Sequence, residues 1–139
     1  IGVEQIKKLP SFLEQRRKNF EVLYDMIHQN SSFTILPQPI DALQTSSHYC
    51  MGALLSSQLI DRRSEIMNGL KNLGIGTSIY YPHPVPDMSY YRKTYKEQMI
   101  PNARAISNSI IALPVGPHLE INDMHRIGLS LNKVIEKIS

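Results

Sequence analysis

Pro82, Pro84 and Pro86 alternate through one short stretch of this 139-residue chain, and no other stretch narrows the fold more. Each proline ring fixes φ and removes a backbone donor, so the stretch cannot continue a helix or serve as a central strand. What precedes it is equally definite. Ile66, Leu70 and Leu73 form one apolar stripe, and Gly74 follows it where a helix needs a left-handed closing residue. The spacing therefore predicts a helix stopping on Gly74, a strand over Thr77 to Tyr81, and a stiff turn. Tyr81 and His83 stand beside Pro82 and Pro84, so their backbones are held and their tips are aimed. Pre-organised polar groups on a loop suit the rim of a ligand site. A proline-rich turn whose Tyr and His merely cover a helix end accounts for the same residues.

The remaining elements follow from period and punctuation. Ile6, Leu9, Leu13, Phe20, Leu23, Tyr24 and Ile27 recur at helical spacing, with Pro10 placed to kink or divide the helix. Asn30-Ser31-Ser32 breaks that period. Phe33 to Leu36 reads as a short strand closed by Pro37 and Pro39. His48 to Leu55 is apolar on both alternating faces, as a covered central strand is. Asp61 is expected to cap a helix with Ser64 and Glu65 in its first turn. Asn102 to Ser109 reads as a helix, Ile110 to Leu113 as a strand, and Pro114 to His118 as a turn. Asn122 is expected to cap a last helix with Ile127, Leu131, Val134 and Ile138 on one face. Asp87 to Pro101 carries Tyr90, Tyr91 and Tyr95 without a period and reads as a long loop. Short strands with helices between them predict an α+β domain, helices packed on a small sheet.

Composition excludes several classes. A content of 42% hydrophobic and 19% charged residues is that of a globular domain, not a disordered one. No apolar run approaches the roughly 18 residues of a membrane span, and no signal peptide opens the chain. The start at Ile1, inside a predicted helix, leads us to expect a fragment or a processed chain. Cys50 is alone, which excludes an internal disulfide and fits a reducing, cytoplasmic setting. The basic groups Arg16-Arg17-Lys18, Arg62-Arg63 and Arg92, Lys93, Lys96 lie near Glu14, Glu21, Asp61, Glu65 and Glu97. They read as solvated faces, with neither nucleic acid nor membrane as the expected partner. The Tyr90 to Lys96 run, which could stack bases between cations, lacks a wider basic surface and reads as a mobile loop.

The five histidines are scattered without zinc spacing, and no phosphate loop, dinucleotide fingerprint or nucleophile elbow is present. Cys50 is expected to be a small core residue. His48 and Tyr49 read as a hydrogen-bonded core histidine and a packing tyrosine, with ligand contact as the alternative.

Several blocks in succession resemble the C-terminal region of the DegT/DnrJ family of pyridoxal-phosphate sugar aminotransferases. Gln5-Ile6-Lys7-Lys8-Leu9-Pro10 followed by Arg16-Arg17 resembles the family's helix that leaves the large domain and enters the small one. Arg63, Leu70, Leu73, Gly74 and Ile75 resemble its RxxLxxxLxxxGI helix end, and Ile79-Tyr80-Tyr81-Pro82 its hYxP segment. Asn102-Ala103 to Leu113-Pro114 and the last helix complete the likeness. Many relatives carry a histidine where this chain has Pro86, and His83 lies three residues earlier.

The resemblance implies a small, mostly antiparallel sheet with helices, residues 1–30 being an interdomain helix and 31–139 the small domain. It implies a parent enzyme that moves an amino group, usually from glutamate, onto a nucleotide-linked keto sugar with pyridoxal phosphate, working as a homodimer. The cofactor lysine and phosphate contacts belong to the family's large domain and match no motif here, so the chain alone is expected to be inactive. No catalytic, cofactor-binding or metal residue is expected in it; Tyr81 and His83 are the expected substrate contacts, and Arg16 or Arg17 are offered for phosphate or carboxylate. The rival readings are a stand-alone ligand-binding or dimerising module. The apolar residues around the first helix, which a small domain cannot all cover, lead us to expect self-association or a poorly ordered first helix.

Overall fold

The computed structural model describes residues 2–37, 44–96 and 99–138. Helix α1 spans Gly2–Ile27 and strand β1 Phe33–Ile35. Strand β2 spans Met51–Leu55, and a 3-10 turn at Ile60–Arg62 leads into α2, Arg63–Asn72. A second 3-10 turn at Val85–Asp87 precedes α3, Ser89–Thr94. Helix α4 spans Pro101–Ser109, strand β3 Ile110–Leu113 and helix α5 Ile121–Ile138.

The three strands form one antiparallel sheet in the order β1-β2-β3. Phe33 pairs with Leu55, and Met51 with Leu113, so β2 is central as its apolar faces require. Met51, Leu23, Ile27, Ile66, Leu70, Leu113, Met124 and Leu131 are fully buried, and they join the sheet to α1, α2 and α5. Ile127, Leu131 and Val134 face this core, with Ile138 packed at its edge. Gly128 permits the close approach of α1 and α5, because a Cβ there would meet Met26 Cε at 2.9 Å.

Helix α2 ends as its sequence predicts. Gly74 adopts φ +77, its N–H bonds the Lys71 carbonyl at 2.9 Å, and the Ile75 N–H bonds the Leu70 carbonyl at 2.9 Å. This paired closure then buries Ile75 against the core. Leu73, expected on the apolar stripe, is exposed instead.

Other expectations are corrected. Pro10 does not divide α1; it lies where Ile6 is 68% exposed, so water can take the freed carbonyl. The strand expected over Thr77 to Tyr81 is a single antiparallel bridge, Ser78 to Ala112 on the outer edge of β3. Glycines on one side and prolines on the other leave no longer ladder. Asp61 is not a cap: it sits inside the 3-10 turn, and Arg62 occupies the cap position without a side-chain bond. Asn122 lies inside α5, where Asp123 reaches back to accept the Glu120 N–H at 3.0 Å, one half of a capping box. The expected loop after Asp87 contains α3. Pro39 and Glu97 lie outside the described residues.

Candidate functional site

Two of the concavities take in residues that the sequence put forward for ligand contact, His83 in one and Arg16 in the other. The larger, about 520 Å³, lies where the proline-rich turn meets α3 and α4, with His83, Pro86, Arg92 and Asn108 on its walls. Its rigidity comes from a fork. Arg104 on α4 donates from Nε and Nη2 to the two oxygens of Asp87, at 3.0 and 2.9 Å. The fork ties the turn to α4 and so fixes the approach of His83. Tyr81 is 69% exposed and stands outside this lining. The two expected substrate contacts are thus close in sequence but do not share one cavity wall.

The smaller concavity, about 290 Å³, lies between α1, the Ser78 bridge and the Pro114 to His118 turn. Arg16, Tyr49, Ser78, Tyr80 and His118 supply its polar atoms. The Arg16 guanidinium sits over the Tyr49 ring at 5.4 Å, and that ring leans on Tyr80 at 5.9 Å and 50°. Burial, then the neighbouring Tyr49, raises the Tyr80 hydroxyl above its ordinary 10.0. The Arg16 Nε is buried and has no hydrogen-bond partner. Arg17 differs completely: it bonds Glu14 at 2.9 and 3.1 Å and Glu21 at 2.6 Å. Of the two arginines offered for an anion, the structure leaves Arg16 available and commits Arg17 to helix-surface pairs. Arg17 in turn is the main cause of the lowered Glu14 pKa.

One turn after Arg16, fully buried Asn19 clamps the far wall. Its Nδ2 donates to the Gly116 and Leu119 carbonyls, both at 3.0 Å, while Gln15 Nε2 donates to Leu119 O at 3.2 Å. Sequence reasoning passed over Asn19; a polar residue one turn before the buried Leu23 was its only signal.

His48 and Tyr49 depart from the expected pair of core residues. His48 precedes β2 with φ +43, its N–H on Ser46 Oγ at 3.1 Å and its ring tilted on Phe20 at 4.8 Å. Its Nδ1 is buried without a partner, so it is not a satisfied core histidine. Burial pulls its pKa below the ordinary 6.5, Glu21 pulling the other way. Tyr49 is 62% exposed and serves the Arg16 stack rather than the core. Cys50 is half-buried just before β2, where burial raises its thiol and so disfavours the reactive thiolate. Among the described residues no three His, Cys, Asp or Glu side chains converge as a metal site would require.

The DegT/DnrJ/EryC1/StrS aminotransferase family matches residues 1–132. The chain belongs to that family. A UDP-4-amino-4,6-dideoxy-N-acetyl-beta-L-altrosamine transaminase of Campylobacter jejuni is 24% identical over 138 residues, 99% of this chain and 36% of that protein. Helicobacter pylori PseC, an aminotransferase involved in the biosynthesis of pseudoaminic acid, superposes with a TM-score of 0.85 at 21% identity, over 98% of this chain and 36% of that one. A putative sugar aminotransferase of Streptococcus pneumoniae, in its PLP form, gives 0.83 at 22% identity, over 99% and 35%. The α+β architecture is thus that of solved sugar aminotransferases, and the chain spans about a third of the length of the family members it matches. No described helix is long and apolar enough to cross a membrane.

Proposed function

We propose that this chain is the C-terminal part of a pyridoxal-phosphate-dependent aminotransferase acting on a nucleotide-linked keto sugar. The setting would be cell-surface polysaccharide or sugar-metabolite biosynthesis in the cytoplasm, with an amino-acid donor and a homodimeric parent. The observation that carries this reading is the family match over residues 1–132 combined with a span of about a third of each relative. In this reading residues 1–30 are the interdomain helix and 31–139 the small domain.

Pyridoxal phosphate supplies an electron sink when bound to an enclosed lysine. The lysines here, Lys7, Lys8, Lys18, Lys71, Lys93, Lys96, Lys133 and Lys137, are all exposed, and that donor set does not fit the cofactor. We therefore assign the amino-transfer chemistry to another domain of the parent, and to this chain the shaping of the substrate site. His83 lies on a groove wall shared with Arg92, a setting that suits a diphosphate-bearing ligand, while Tyr81 is exposed outside that lining. The test is an NMR titration of the chain with UDP- and dTDP-linked sugars. Saturable shifts at Tyr81 and His83, weakened by His83→Ala, support the assignment. Shifts that never saturate by about 10 mM, a range that would report even a weak site, refute it.

A further inference from the structure

We propose that His48 is a pH-driven latch: neutral, it sits on Phe20 and holds Tyr49 beside Arg16; protonated, it leaves Phe20 for the Glu21 carboxylate and lets Tyr49 go. The latch works within this chain and does not depend on the aminotransferase reading.

The seated state is held under strain. Among the described residues His48 is the one non-glycine with positive φ, at +43. A Cβ makes that conformation costly, and such outliers persist where their surroundings hold them. Two contacts hold this one: the backbone N–H on Ser46 Oγ at 3.1 Å, and the ring at 4.8 Å and 51° from that of buried Phe20. The same turn sets the direction of the chain into Tyr49, whose ring lies 5.4 Å from the Arg16 guanidinium carbon. Tyr49 is mostly exposed, so the course of the backbone matters more to its place than core packing does.

The seated ring resists a proton. Its Nδ1 is buried and has no hydrogen-bond partner. Protonation makes both ring nitrogens donors, and here it would enclose an N–H without an acceptor. Burial accordingly holds the pKa of the seated ring below the ordinary 6.5. Two charged groups act on the ring, both on α1: Glu21 favours the charged form and Arg17 opposes it. Tyr24, stacked on Phe20 at 6.3 Å, and His28, stacked on Tyr24 at 4.9 Å, are the titratable groups that continue the row along α1. Tyr49 and Cys50 follow His48 on its own segment.

The released state has a partner at hand. Glu21 follows Phe20 on the same helix, and its exposed carboxylate accepts from Arg17 Nη1 at 2.6 Å. Arg17 also forks onto Glu14 at 2.9 and 3.1 Å, so Glu21 can turn toward His48 without leaving Arg17 unpaired. Once released, the imidazolium regains water and a carboxylate, and the backbone can leave the left-handed region. Uncovering Phe20 opposes release and keeps the neutral ring seated. The seated form holds the proton less tightly, so acid favours the released form. Its share grows up to tenfold for each pH unit between the ordinary 6.5 and the lower seated value. Tyr49 is part of the wall of the 290 Å³ cavity, so release opens that wall.

The experiment is an NMR titration of the full chain from about pH 8 to about pH 5. It reads the His48 imidazole, the Tyr49 ring, the Arg16 Nε–H and contacts between the His48 and Phe20 rings. We expect the Phe20 contacts to be present at the upper pH and lost at the lower. Tyr49 and Arg16 should shift at the His48 midpoint, below the ordinary 6.5. Glu21→Gln should lower that midpoint by roughly 0.2–0.5 pH unit, as losing an exposed pair does. His48→Asn removes the titration while keeping a residue that tolerates positive φ, so Tyr49 and Arg16 should then stay flat. His28→Gln should leave the Tyr49 titration unchanged. Phe20 contacts retained in acid, a Tyr49 or Arg16 shift that persists in His48→Asn, or a midpoint that Glu21→Gln raises or leaves in place each overturn the latch. The contact loss is read on the unaltered chain, so it decides even where a variant fails to fold. Amide signals of Leu113 and Met124 report the core; their loss at the same midpoint would mean unfolding and refute the latch.

Discussion

Asn19→Leu isolates the polar clamp that holds the Pro114 to His118 turn on α1. The substitution keeps the side-chain volume nearly constant, so cavity formation contributes little. It removes both Nδ2 donations, to Gly116 O and Leu119 O. Leu119 O keeps the Gln15 donor at 3.2 Å, and Gly116 O keeps the Leu119 N–H at 3.1 Å. Each lost Nδ2 donation costs about 0.5–1.5 kcal/mol, and the lost Gln15-to-Asn19 bond at 3.1 Å adds about 0.5–1 kcal/mol. Gly116 is half-buried, so water recovers some of this. We expect a loss of about 2 kcal/mol in total, which a domain of ordinary stability survives. In urea unfolding the midpoint should fall by roughly 1 M with the slope unchanged. Gln15→Ala is the internal control: its carbonyl partner retains Asn19, so the loss should stay below about 1 kcal/mol. Equal losses for the two variants, or a cost under about 0.5 kcal/mol for Asn19→Leu, would show that the clamp does not hold the turn.

Gly74→Ala should cost about 1 kcal/mol, because φ +77 is strained for any residue with a Cβ. Gly76→Ala meets nothing within 4 Å and should be neutral or stabilising by up to about 1 kcal/mol; chemical denaturation of both variants checks the contrast. The lowered His48 pKa means that the unfolded chain binds this proton more readily, so stability should fall as pH drops below the ordinary 6.5 toward the lower folded value. His48→Phe should flatten that limb while leaving the more acidic decline from Glu14 and Glu65, and an unchanged pH profile would refute the assignment. Val3, Ile6, Leu9 and Phe12 expose one end of α1 to solvent. Sedimentation should therefore show concentration-dependent association that Ile6→Lys and Leu9→Lys reduce, and a monomer at all concentrations would contradict it.

What the sequence discloses depends on how local each determinant is. Gly74 is legible because a closing glycine after an apolar stripe answers a purely local need, and β3 and α5 follow from runs that can bury only one way. Thr77 to Tyr81 misleads because its apolar residues look like a strand, while the flanking glycines and prolines hold its pairing with the edge of β3 to the single bridge at Ser78. His48 misleads for a similar reason: its left-handed φ ends the strand before Met51, and the packing of its ring on Phe20 accompanies that conformation. Arg16 is the instructive case. On a helix, side chains three and four apart are neighbours. Arg17 has Glu14 and Glu21 at those spacings, whereas Arg16 has Phe12, Leu13, Asn19 and Phe20. The sequence thus separates a neutralised arginine from one without a carboxylate on its own helix. What it withholds is Tyr49, 33 residues away, whose ring the fold brings to 5.4 Å from the guanidinium carbon. The helix register determines which cation has no carboxylate on its own helix, and the tertiary contact determines which ring that cation meets instead.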